Sequence, residues 1–100
     1  MDTQLRKGLL EFCVLAALET KDSYGYQIIK DISFYVDISE PTLYAILRRM
    51  EVGNNVTSYM VEYNNRLRKY FHLTDKGQMY LNTFRKESEQ IIKILDFIGK

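Results

Sequence analysis

Tryptophan is absent from this 100-residue chain, and cysteine, histidine and proline occur once each, as Cys13, His72 and Pro41. A lone cysteine cannot close an intrachain disulfide, so covalent cross-linking does not hold this fold together. One histidine and one cysteine cannot make a zinc site without carboxylates, and the sequence does not cluster them. It has no glycine-rich phosphate loop and no nucleophile in an activating motif. These absences speak against an enzyme: no catalytic residue, no metal and no cofactor is expected. The longest uninterrupted apolar run, Phe12 to Leu18, is far short of the roughly 20 residues that span a bilayer. The opening Met1-Asp2-Thr3-Gln4 lacks the basic segment and apolar stretch of a signal peptide. A cytoplasmic protein without membrane contact is therefore expected.

The length suits a single domain, and an apolar content of 46% is ordinary for a globular one. The net charge of +1 is uninformative, but its distribution is not. Residues 1–40 carry four basic against seven acidic side chains, whereas residues 41–72 carry five against two. A surface that meets phosphates would need such a local excess.

The apolar pattern predicts a mostly buried helix over Leu9–Glu19 and a second from about Tyr24 to Ser33, with Asp22 or Ser23 as its cap. Gly25 in that second helix points to close packing rather than propensity. Phe34–Ile38 reads as a β-rich connector. Ser39, Glu40 and Pro41 then open a third helix with a cap and an N-terminal proline. At 100° per residue Leu43, Ile46, Leu47 and Met50 share one face, with Tyr44, Arg48 and Arg49 on or beside the opposite one. Gly53-Asn54-Asn55 closes it. Two strands are predicted at Val56–Val61 and Leu67–Leu73, turning at Asn64-Asn65. Thr74 caps a final helix from Asp75 to Ile98, roughly 36 Å long. On it Leu81, Phe84, Ser88, Ile91, Leu95 and Ile98 recur at alternating steps of three and four.

An arginine-bearing helix followed by a basic hairpin is how a winged helix-turn-helix meets DNA. The chain also resembles the PadR family of transcriptional regulators, in particular its short members with one C-terminal helix. The likeness rests on Tyr24-Gly25-Tyr26-Gln27-Ile28-Ile29-Lys30, on Thr42-Leu43-Tyr44-Ala45-Ile46-Leu47-Arg48-Arg49-Met50-Glu51, and on Arg68-Lys69-Tyr70-Phe71-His72-Leu73-Thr74-Asp75-Lys76-Gly77. The resemblance implies a mainly α (α+β) fold: a winged helix-turn-helix over residues 1–74 and a dimerisation helix over 75–100. It implies a dimeric repressor whose third helix enters the major groove and whose two-stranded wing touches the backbone or the minor groove. Two positions depart from the family pattern. Asn54 and Asn64-Asn65-Arg66 stand where glycines are usual, which predicts a shorter wing turn. Ser88 stands where ligand-sensing short members carry the tryptophan that stacks on flat aromatic compounds.

The residues expected to contact double-stranded DNA are Ser39, Thr42, Tyr44, Arg48 and Arg49 from the third helix, with Arg66, Arg68 and Lys69 from the wing. Arginine can engage guanine bidentately or grip a phosphate, and hydroxyls suit either target. Because side chains alternate along a strand, Arg68 and Lys69 are expected to play different parts. The dimer seam is expected from Leu9 and Phe12 with Leu81, Phe84, Ser88, Ile91, Leu95 and Ile98. A homodimer would read a palindromic operator. Tyr80, Phe84, Phe97, Phe12 and Leu9 could instead line a site for a small aromatic effector. A competing reading is a winged-helix protein-interaction module without operator binding. His72 and Cys13 are expected to be structural.

Overall fold

The computed structural model describes residues 3–100. Along the chain run α1 (Thr3–Ala17), β1 (Ser23–Tyr24), α2 (Gly25–Ile32), α3 (Glu40–Val52), β2 (Val56–Tyr63), β3 (Arg66–Leu73) and α4 (Asp75–Ile98). The architecture is a winged helix-turn-helix. Helices α1 to α3 and the base of an antiparallel sheet enclose the core, and α4 extends away from it. The sheet order is β1-β3-β2.

The core forms where the apolar faces converge. Val14 and Leu15 of α1, Ile28 of α2, Leu43 of α3 and Val56 of β2 are fully buried, and Phe71 and Leu81 join them. Each such side chain stabilises the fold by about 1.5–3 kcal/mol relative to exposure. α1 starts six residues before the apolar pattern does. Its first turns, Thr3–Gly8, are helical although mostly polar, because the pattern marks only the part that is buried. It ends at Ala17, and Leu18 and Glu19 then bond three residues back, to Leu15 and Ala16, in a tightened final turn.

Two further expectations need correction. Neither Asp22 nor Ser23 caps α2; the cap position is Tyr24, without a side-chain hydrogen bond. Ser23 and Tyr24 instead form the short strand β1, paired with Phe71 and Tyr70 of β3. The connector 34–38 is a turn and coil, not a strand, and Phe34 and Tyr35 stand exposed on it.

The ends of α3 and the hairpin follow from local chemistry. After α3, Gly53 keeps ordinary helical φ and Asn54 takes the left-handed conformation at φ 62°. The Asn55 N–H bonds to Met50 O at 2.8 Å and the Asn54 N–H to Glu51 O at 3.1 Å, which is a Schellman ending. Asn64 and Asn65 have φ of 52° and 62°, a two-residue type I′ turn between Tyr63 and Arg66. Asparagine accepts that conformation better than other side chains, so the wing closes tightly without glycine.

α4 begins where α3 ends. Thr74 Oγ1 accepts from the Gly77 N–H at 3.0 Å and donates to the Asn54 and Asn55 carbonyls. Lys76 Nζ donates to Gly53 O at 2.7 Å. A Cβ on Gly77 would lie 2.1 Å from Asn55 O, so only glycine permits this approach.

Candidate nucleic-acid interface

Burial of Leu43, Ile46, Leu47 and Met50 fixes which way α3 faces. Pro41, Tyr44, Arg48, Arg49 and Val52 consequently point outward or to the flanks, all exposed. Ser39 Oγ accepts from the Thr42 N–H at 3.3 Å and donates to Thr42 Oγ1 at 2.9 Å, so these two hydroxyls cap the helix together. Arg48 makes no ion pair among the described residues. Arg49 does: its guanidinium is ion-paired with Glu11 of α1. The two arginines, adjacent in sequence, therefore differ in charge balance. Nothing local to α3 signals this pairing, since Glu11 lies 38 residues away.

On one flank of α3 the Tyr44 ring lies against the start of α2. A Cβ on Gly25 would sit 2.2 Å from the Tyr44 hydroxyl, which gives the close packing anticipated at that glycine. Tyr24, Tyr26, Tyr44, Arg68 and Lys69 wall a basin of about 360 Å³ here. Arg68 is the organised member. Its guanidinium is sandwiched between the rings of Tyr24 (4.0 Å) and Tyr63 (4.2 Å). Such cation–π contacts hold a planar cation in place while leaving its charge unneutralised. Lys69 points to the other face of the wing, over Phe71 and 3.9 Å from Glu51. The two side chains thus have different partners, as strand alternation requires, although both border the basin. Arg66, beside the turn, is exposed.

The wing is anchored at its root by Asp22. Its carboxylate accepts from the Tyr59 hydroxyl at 2.5 Å and lies 2.7 Å from His72 Nδ1. The Tyr59 bond first, and then His72, hold the Asp22 carboxyl below its usual range, and the same bond raises Tyr59. His72 thus links β3 to Asp22. Cys13 is part-buried, and burial pushes its thiol up, away from the reactive thiolate.

The residues expected at a dimer seam divide. Leu81 is buried in the chain's own core, as is Leu10 beside Leu9. Phe12 stacks on Phe84 with ring centroids 3.9 Å apart and meets Tyr80 at 4.9 Å. Ser88 donates back to the Arg85 carbonyl. Beyond it Ile91, Leu95 and Ile98 are 50%, 58% and 69% exposed, joined by Ile92, Ile94 and Phe97. Leu9, Phe12 and Phe84 line an apolar cleft of about 420 Å³ between α1, α4 and the connector, but Tyr80 and Phe97 do not. Glu19 clamps α1 to α4. Hydrogen bonds from Arg85 at 2.7 and 2.8 Å and from Gln78 lower its carboxyl to about 2.

No described helix is long and apolar enough to cross a membrane, and no group of metal-binding side chains occurs among the described residues. Residues 14–83 match the transcriptional regulator PadR-like family, and the chain belongs to that family. It is similar to a PadR family transcription regulator from Clostridium difficile, at 31% identity and a TM-score of 0.84, covering 90% of this chain and 97% of that one. A transcriptional regulator from Clostridium thermocellum is 29% identical with a TM-score of 0.88, covering 100% and 99%. A Streptococcus mutans protein is 39% identical with a TM-score of 0.82, covering 90% and 85%. The family is one of transcriptional regulators, not of enzymes.

Proposed function

We propose that this PadR-like regulator is a cytoplasmic, dimeric DNA-binding repressor. The observation that carries this reading is that Arg48 on the exposed face of α3 and Arg68 on the wing are cations without an ion pair among the described residues. Arg48, with Tyr44 and the exposed Val52, would face base edges, where an arginine can engage guanine and an apolar side chain a thymine methyl. Arg66 and Arg68 would grip phosphates, Lys69 would assist from the other wing face, and Ser39 and Thr42 would lie beside the backbone at the start of α3. The exposed stripe Ile91, Leu95 and Ile98 favours pairing with a second copy. Fully burying such a side chain is worth about 1.5–3 kcal/mol, so covering their exposed halves contributes several kcal/mol per protomer. Leu9, Phe12, Phe84 and Ser88 border that seam. Two-fold symmetry would then set the recognition helices about 34 Å apart, matching a palindromic operator. The cleft beside Phe12 and Phe84 offers a small aromatic effector an apolar floor but no tryptophan.

Arg48→Ala tests the reading. It should weaken operator binding by about 1–3 kcal/mol in a fluorescence anisotropy titration while leaving thermal unfolding unchanged. Parental affinity would remove α3 as the reading helix.

A further inference from the structure

The wing-side basin is not the only cleft that borders the outward face of α3 among the described residues. On the opposite flank a second cleft, of about 450 Å³, lies between the first turns of α1 and the start of α3. Its walls include Arg6, Lys7 and Arg49, with the hydroxyls of Thr3 and Thr42. Among the described residues, three that line it are cationic and none is acidic. Exposed Pro41 and part-exposed Ala45 of α3 also line it, so the cleft adjoins the surface that α3 presents.

The charges here are held differently. Arg6 donates from Nη2 to the Asp37 backbone carbonyl at 2.7 Å. That bond fixes the side chain without cancelling its charge. Lys7 is exposed and has no ion pair among the described residues. Arg49 is paired with Glu11. Thr42 Oγ1 accepts from Ser39 Oγ at 2.9 Å.

A helix lying in a major groove about 12 Å wide has a phosphate backbone on each side. The wing can reach only one of them. We propose that the α1–α3 cleft is a second phosphodiester site, in which Lys7 and Arg6 grip the backbone opposite the wing. Glu11 sets the strength of this site by neutralising Arg49. The inference rests on the DNA-binding reading and adds α1 to the contact surface. The ligand is a backbone phosphate rather than a base, because Lys7 is a flexible point charge with no planar recognition geometry.

The test needs no knowledge of the operator, since phosphate contacts are independent of sequence. Binding of a 30-base-pair duplex of mixed sequence is measured by fluorescence anisotropy between 50 and 200 mM salt. Each phosphate contact contributes about 0.9 to the slope of log affinity against log salt. Lys7→Ala should lower that slope by about 0.9 per protomer, so that its affinity falls about 3.5-fold less over this range. Lys7→Arg should keep the parental slope. Glu11→Gln frees Arg49 and should steepen the slope and tighten binding at 50 mM salt. A parental slope in Lys7→Ala overturns the site, and so does a Glu11→Gln variant that binds no more tightly than the parent. If the parent itself fails to bind the duplex at 50 mM salt, the DNA-binding reading falls, and that result is distinct from either.

Discussion

Gly25→Ala isolates the part Tyr44 plays. The added methyl would lie 2.2 Å from the Tyr44 hydroxyl and 2.8 Å from Cζ. Carbon contacts are comfortable at about 3.5–4.0 Å, so the end of the ring must retreat by about 1 Å or more. It can do so because Tyr44 is 41% exposed and the obstacle is the far end of a side chain. A rotation of roughly 30° away from a favoured rotamer costs about 0.5–1.5 kcal/mol. Gly25 does not have positive φ, so alanine fits the backbone and regains about 0.4–1 kcal/mol by restricting the unfolded chain. The two effects nearly cancel, and the melting temperature should move by no more than about 5 °C. DNA affinity should behave differently. A displaced hydroxyl loses a hydrogen bond worth about 1 kcal/mol, roughly fivefold in affinity per protomer. Circular dichroism melts and anisotropy titrations read the two quantities separately. In a Tyr44→Ala background the Gly25→Ala change should have no further effect on binding. Parental affinity for Gly25→Ala, or a loss equal in both backgrounds, would refute the placement of Tyr44 at the DNA surface.

Gly77→Ala should be far more damaging than Gly25→Ala, because the new Cβ meets the Asn55 carbonyl at 2.1 Å and a backbone atom between two helix ends cannot step aside. A loss of about 3 kcal/mol or more is expected in a urea melt, by the strain of overpacking, and a loss below 1 kcal/mol would contradict the close junction. Leu95→Asp should place a carboxylate in the apolar stripe of α4 and yield monomers in light scattering with weakened DNA binding; an unchanged dimer would locate the seam elsewhere. Acid should loosen the α1–α4 clamp. Glu19 has its folded pKa lowered to about 2 from 4.5, so its contribution is complete above pH about 4.5 and disappears as pH falls toward 2. Glu19→Gln should flatten the stability curve across that window, and an identical acid limb in parent and variant would refute the clamp.

The third and fourth helices are legible in the sequence because their signals are local. Ser39 and Thr74 cap them, and the apolar steps mark their buried faces. The asparagine pairs likewise announce left-handed turns. Partners distant in sequence are not legible. Two-residue β1 shows no alternation to detect, and Asp22 resembles a helix cap until Tyr59 and His72 are brought to it by the fold. Periodicity identified the α4 stripe without saying what covers each member: Leu81 faces the chain's own core, whereas Ile91, Leu95 and Ile98 remain uncovered. In the same way Arg48 and Arg49 look equivalent as neighbours, and only Glu11 of α1 separates them.

The most direct test of the account is a titration of the parent chain on the DNA immediately upstream of its own coding region, with the mass of the complex measured by light scattering at two salt concentrations. The account predicts two chains per palindromic site, with affinity falling steeply as salt rises from 50 to 200 mM, by about a thousandfold or more if at least six phosphates are engaged. A single chain bound per site, or an affinity indifferent to salt, would contradict it.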